Sequence, residues 1–344
     1  MPWVDPEALI ETLLTDARAA RAAADLDRAT TALTDAAAHS DALATDHPLR
    51  AKTRWRLAKV HHDEARPTQA LDALTPLLSD EGDPFVGYPQ GLDAVGAIAE
   101  QVWHRLGYRE SRVDVLWRAV ERAHEATADR VRATQARLQR LWSTSCRGER
   151  DRLSTELEDF SMLDPRAFAE GPSRHPRAPD AVGSVPWLQL DAARTALRAA
   201  TWSGDAALAD LAEDLFEDAA TDADLDRDNE IWFLEPIALV RRRWQRPDPD
   251  GYAAMWFDLA GRIDYPRRDY HQRVALAEAA RPAEITTTHQ RYAEAAKVAD
   301  DGDYGPEWVI DALAQADAVG EARSMMVRYG VLAFESTLSD TSTT

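Results

Sequence analysis

The amino-acid sequence predicts an all-α protein of stacked antiparallel helix hairpins. Three observations point there. Helix formers dominate almost every stretch, and glycine is scarce at 15 of 344 residues. Apolar residues recur three and four positions apart, and no run alternates Val, Ile, Thr and aromatic residues as a half-buried strand does. The layout also repeats about every forty residues, the mark of an array in which each hairpin buries its apolar face only by stacking on its neighbours.

Taken in order, the first helix begins near Asp5, with Leu9, Leu13, Ala17 and Ala20 as its stripe. A break at Asp25-Leu26-Asp27 starts the second, striped by Ala29, Leu33 and Ala36. Leu57, Ala58 and His61 share the third helix, Arg66-Pro67 turns the chain, and Ala70, Leu74 and Leu77 answer. A third pair runs through Ile98, Val102 and Leu106, breaks at Gly107-Tyr108, and resumes at Arg112, Leu116 and Ala119. Ala29 to Ala70 is forty-one residues and Ala70 to Arg112 is forty-two, so the period holds.

Small residues at the helix crossings, Ala17, Ala20, Ala29 and Ala36 and again Ala58 and Ala70, resemble the tetratricopeptide repeat. Asp25-Leu26-Asp27-Arg28-Ala29 stands where that family turns before a small residue, and residues 5 to 126 carry the likeness. The resemblance implies a right-handed superhelix, a TPR-like α-solenoid, with the first helix of each pair lining a concave groove. Arg130 to Phe160 reads as further helix, and the prolines and glycine from Glu170 to Pro179 read as a linker. Helices resume at Trp187, turn at Gly204-Asp205 and continue through Leu208, Leu211, Leu215 and Phe216. The expected organisation is an N-terminal array over 1–169, a Pro-rich linker over 170–186, a divergent array over 187–335 and a flexible tail over 336–344.

A formal charge of -20 repels nucleic-acid backbone and disfavours that class of partner. Between Arg105 and Arg152, however, twelve arginines face seven acids, a local excess that neighbouring acidic helices or an acidic partner can meet. The single cysteine, Cys146, excludes an internal disulfide and a multi-cysteine zinc site, and no histidine can be assigned to activate it. The N-terminus lacks the pattern of a signal peptide and no apolar run is long enough to span a bilayer, so a cytoplasmic location is expected. Most of the eleven tryptophans fall on apolar stripes, where packing accounts for them.

Transferring the groove offsets implied by the resemblance gives a candidate recognition face. They fall on Glu11, Leu14, Arg18 and Arg21 in the first hairpin, Lys52, Trp55, Lys59 and His62 in the second, and Gln101 and His104 in the third. Lysines, arginines and a tryptophan on one face suit a peptide carboxylate or an acidic segment, though an ordinary solvated face has the same composition. A second candidate runs from Asp224 to Glu235 and resembles an EF-hand calcium loop. Asp224, Asp226, Asp228 and Glu235 are its ligands, with Asn229 where glycine is usual. The same aspartates also suit the start of a helix near Glu230 without any metal. A third, Arg241-Arg242-Arg243-Trp244-Gln245-Arg246, is explained by the preference for cations at a helix C-terminus. His61-His62-Asp63-Glu64 lacks metal-ligand spacing, and no Walker loop, dinucleotide fingerprint or nucleophile elbow is present. The expected function is therefore a non-enzymatic scaffold or adaptor binding a protein or acidic peptide, with a ligand- or calcium-responsive sensor as the alternative.

Overall fold

The computed structural model describes residues 5–77, 98, 112–147, 149–222, 227–302 and 304–329. Among them are fifteen α-helices, two 3-10 turns (Thr75–Leu77 and Pro165–Phe168) and no strand, as the apolar periodicity predicts. No described helix is long and apolar enough to cross a membrane.

The contacts divide the chain into two compact units, Met1–Arg140 and Leu141–Thr344. The first contains α1 (Pro6–Ala22), α2 (Leu26–Ser40), α3 (Pro48–Asp63), α4 (Pro67–Leu74) and α5 (Arg112–Ala126), and the division falls inside α6 (Arg130–Cys146). The second contains α7 (Arg150–Glu158), α8 (Ser184–Ser203), α9 (Ala206–Asp222), α10 (Arg227–Arg243), α11 (Tyr252–Arg262), α12 (Arg268–Ala280), α13 (Ile285–Asp301), α14 (Pro306–Gln315) and α15 (Val319–Tyr329). Within each unit the principal partners of a helix are its neighbours in the chain: α1 with α2, α2 with α3, α3 with α4, then α8 with α9, α12 with α13, α13 with α14.

Buried alanines at the crossings allow this close pairing. Ala17, Ala20, Ala29, Ala36, Ala58 and Ala70 are all buried, and an alanine brings two helix backbones together without a side chain between them. The stripe of α1 differs from the sequence expectation by one position. Ile10 and Leu14 are buried, while Leu9 and Leu13 are only half-buried, because four large apolar residues in two adjacent columns leave the inward column undetermined until α2 is in place. The helix expected over Arg130 to Phe160 is broken around Arg147 into α6 and α7.

The turns repeat as well. Ala24, Ala65 and Ala128 each adopt a left-handed backbone with φ of 58°. In each turn the following amide closes back over five residues, Asp25 onto Ala20 (2.9 Å), Arg66 onto His61 (2.8 Å) and Asp129 onto His124 (2.8 Å). This is a Schellman closure built on alanine where glycine is the unstrained choice, and a left-handed non-glycine residue costs about 1–2 kcal/mol. Ala65→Gly is therefore expected to raise stability by up to about 1 kcal/mol, the greater chain entropy of glycine taking back part of the relief. Urea unfolding measures it, and a lowered midpoint would show that the turn is unstrained.

The Pro-rich stretch 170–186 lies within the second unit, against the start of α8. The amide of His175 donates to Ser184 Oγ at 2.7 Å, its ring stacks on Trp187 with centroids 5.7 Å apart, and Ala178 is buried.

Candidate functional site

Two surfaces of the first-unit groove reading meet in the structure. Lys52 Nζ donates to Glu11 Oε1 at 3.0 Å and Arg21 Nη2 to Asp63 Oδ2 at 2.8 Å, which sets α1 beside α3. Lys59 Nζ donates to the other oxygen of Asp63 at 3.1 Å. Arg18 is exposed on the same side of α1 as Arg21, while Trp55 and His62 are half-buried on α3. Leu14, one of the transferred offsets, is buried and faces the hairpin interior. Gln101 and His104 lie outside the described residues.

Of the calcium-type ligands, Asp224 and Asp226 lie outside the described residues. From Arg227 onward the chain is the regular helix α10, which carries Asp228 in its first turn and Glu235 two turns further. Glu235 is turned inward, with Oε1 2.6 Å from His271 Nδ1. Burial pushes the Glu235 carboxyl up, but the charge and hydrogen bond of His271, with Arg194 and Arg243, outweigh it and hold the group below its ordinary value. No group of three or more metal-ligating side chains converges among the described residues.

The basic run at the end of α10 is engaged with acids of other helices. Arg241 bonds Glu213 at 3.2 Å and Asp248 at 2.9 Å, and Arg246 bonds Glu213 at 2.6 Å and also reaches Asp210. Arg243, almost wholly buried, meets Asp311 at 3.1 Å, Thr201 at 3.0 Å and Tyr292 at 3.2 Å. These cations tie α10 to α8, α9, α13 and α14. The dipole explanation accounts for their position in the helix but not for this pairing. Cys146 is fully buried, and burial together with the Glu307 charge pushes its thiol well up, which disfavours the nucleophilic thiolate.

A different constellation in the second unit is not anticipated by any sequence motif. His271 of α12 stands between Trp232 of α10 and Trp308 of α14, with centroids 5.1 and 5.3 Å away and both contacts edge-on. Tyr270 at 5.4 Å and Tyr265 at 6.0 Å complete its walls. Arginines rest on the outer rings. Arg177 lies 4.7 Å over Trp232, Arg198 lies 5.0 Å over Trp308 and 4.5 Å over Trp142, and Arg267 lies 5.3 Å over Trp308 and 4.8 Å over Tyr304. Such cation–ring contacts contribute about 0.5–2 kcal/mol each and leave the N–H edges of the guanidinium available.

The nearby Arg194 is satisfied by the Trp232 carbonyl at 2.6 Å and by Asp191 at 3.7 Å. Arg177, Arg198 and Arg267 differ: none of their guanidiniums has a hydrogen bond or ion pair to a described residue. Burial and the neighbouring Arg194 charge hold Arg177 below the usual guanidinium range, despite Asp191 and Glu235. Two further polar atoms inside the cluster have no partner among the described residues. They are His271 Nε2 and the Tyr265 hydroxyl, on side chains whose residues are 2% and 8% exposed.

The chain matches no family model and no curated protein. The site therefore has to be interpreted from its own chemistry. A faint signal for it exists in the sequence: Arg194 and Arg198, and Trp232 and Glu235, are each three or four residues apart within one helix, hence on common helix faces, whereas Arg267 precedes α12 in a left-handed conformation. Spacing within one helix does not say that these faces meet.

Proposed function

We propose that the chain is a non-enzymatic helical-repeat scaffold of the cytoplasm that binds an acidic protein or peptide segment across the exposed face of α1 and α3. In this reading the helix pairs wind as a right-handed, tetratricopeptide-like superhelix with that face on its concave side. The single observation that carries it is the pair of cross-helix bridges, Lys52 to Glu11 and Arg21 to Asp63, which bring the cations of two helices onto one surface. Both bridges are partly solvent-exposed, where an ion pair contributes about 0–1 kcal/mol. Partner carboxylates can therefore replace Glu11 and Asp63 at little cost and engage Arg18, Arg21, Lys52 and Lys59, with Trp55 and His62 beside them.

Replacing Lys52 and Lys59 together by glutamate tests the face. Binding of a fluorescein-labelled Glu-rich peptide, followed by anisotropy, is expected to weaken roughly tenfold or more, with thermal stability nearly unchanged because exposed charges contribute little. Equal affinity in the double variant removes this face from consideration. The alternative, a ligand-responsive helical protein, is favoured by one specific observation, the cation–aromatic cluster of the second unit.

A further inference from the structure

We infer that the second unit holds a site for a small oxyanion ligand, a phosphate or polycarboxylate, received by Arg177, Arg198 and Arg267 around the Trp232–His271–Trp308 row. The inference does not depend on the α1–α3 face. In a chain with 60 acids against 40 lysines and arginines, a half-buried guanidinium ordinarily has an acid beside it. Several arginines of this region follow that rule: Arg194 has Asp191, Arg241 has Asp248 and Glu213, and Arg243 has Asp311, while Arg242 and Arg268 are bonded to the backbone carbonyls of Glu278 and Gly261. Arg177 and Arg198 are half-buried without an ion pair, although Asp191 and Glu235 lie near enough to act on Arg177; with the exposed Arg267 they lie on rings that touch His271 or adjoin those that do.

Their position over the rings bears on what such cations can do. With each guanidinium carbon within 5.3 Å of a tryptophan ring centroid, the cations are held in place in advance, and the N–H groups of a guanidinium can match two oxygens of a carboxylate or phosphate. Between them, His271 and Tyr265 each carry a buried polar atom with no partner among the described residues. A buried polar group left unsatisfied costs about 1–3 kcal/mol, and a ligand oxygen at these atoms removes that cost. Because both side chains are more than nine-tenths buried, the group that reaches them must be small, which favours an oxyanion head over a protein surface. Glu235, on the opposite ring nitrogen, orients His271 so that Nε2 is the nitrogen left for the ligand.

The full chain titrated with inorganic phosphate and, separately, with citrate tests the site, with sodium chloride at matched ionic strength as the control. Tryptophan fluorescence and melting temperature are the readouts. Saturable stabilisation beyond chloride is expected for at least one anion. Phosphate alone assigns a phosphate-bearing ligand, citrate alone a polycarboxylate, and both together a general oxyanion site. The absence of a response to both anions overturns the proposal. Arg177→Gln with Arg198→Gln is expected to abolish the response. Tyr265→Phe is the check against misfolding: it removes a hydroxyl that has no partner among the described residues, so stability should hold while affinity falls about tenfold. Full affinity in both variants also overturns the site. Lys52→Glu with Lys59→Glu should retain anion binding, which separates failure of this site from failure of the α1–α3 face.

Discussion

Glu278→Ala is expected to destabilise the second unit by about 3–5 kcal/mol at neutral pH, the cost of breaking a buried charge network on one side only. Glu278 of α12 is 0% exposed. It accepts from Arg281 at 2.7 and 2.9 Å, lies 3.5 Å from Arg243, and takes the Tyr292 hydroxyl in a short bond. Through Arg243 the same node reaches Asp311 of α14 and Thr201 of α8. Without Glu278, Arg281 and Arg243 lose a shared counter-charge that solvent cannot replace. Burial pushes the Glu278 carboxyl up, and its bonds to Arg281 with the Arg243 charge outweigh that and hold it below its ordinary value of 4.5. A depressed carboxylate contributes stability that is fully present above 4.5 and is lost as pH falls from there through the folded value. The gap between parent and Glu278→Ala should accordingly narrow in acid. Urea unfolding at neutral and acid pH measures both effects. A loss under about 1 kcal/mol at neutral pH would mean that the node is dispensable.

Trp256→Ala should cost a similar amount for an apolar reason. Trp256 of α11 is 0% exposed and lies in a core that also contains Ile231, Leu234, Val274 and Tyr292, so truncation removes a large buried surface and leaves a cavity, about 3–5 kcal/mol together. Its indole N–H has no partner among the described residues. Trp256→Phe, which keeps most of the ring volume and deletes that orphan donor, is therefore expected to cost under about 1.5 kcal/mol. If the two substitutions prove equally costly, the indole N–H is engaged and the tight packing assigned to this position is wrong.

Parts of the fold were legible because they rest on short-range chemistry. The alanines at 17, 20, 29, 36, 58 and 70 are buried as their spacing predicts, and Gly204 takes the left-handed conformation that ends α8. The candidate sites were less legible. Lys52 and Arg21 could be placed on exposed faces, but their counter-charges Glu11 and Asp63 are supplied by the other helix of each pair of faces. Arg243 read as a cation at a helix end, whereas its partners Glu278, Tyr292 and Asp311 lie thirty-five to sixty-eight residues away. Glu235 read as the closing residue of a loop, and it sits within a helix facing a histidine thirty-six residues on.

From residue order alone one could tell that the described chain is helical, that it turns at Asp25, Arg66 and Gly204, and which small residues lie at the crossings, though not the break near Arg147, since helix periodicity, capping and turn chemistry act within about one helical turn. Tertiary structure alone decided which of two adjacent columns of α1 faces inward, which arginines found acids, and that Arg177, Arg198 and Arg267 found tryptophans. Those outcomes depend on how separate helices pack, and Coulombic and ring contacts form wherever packing brings groups within a few ångströms, whatever their distance along the chain.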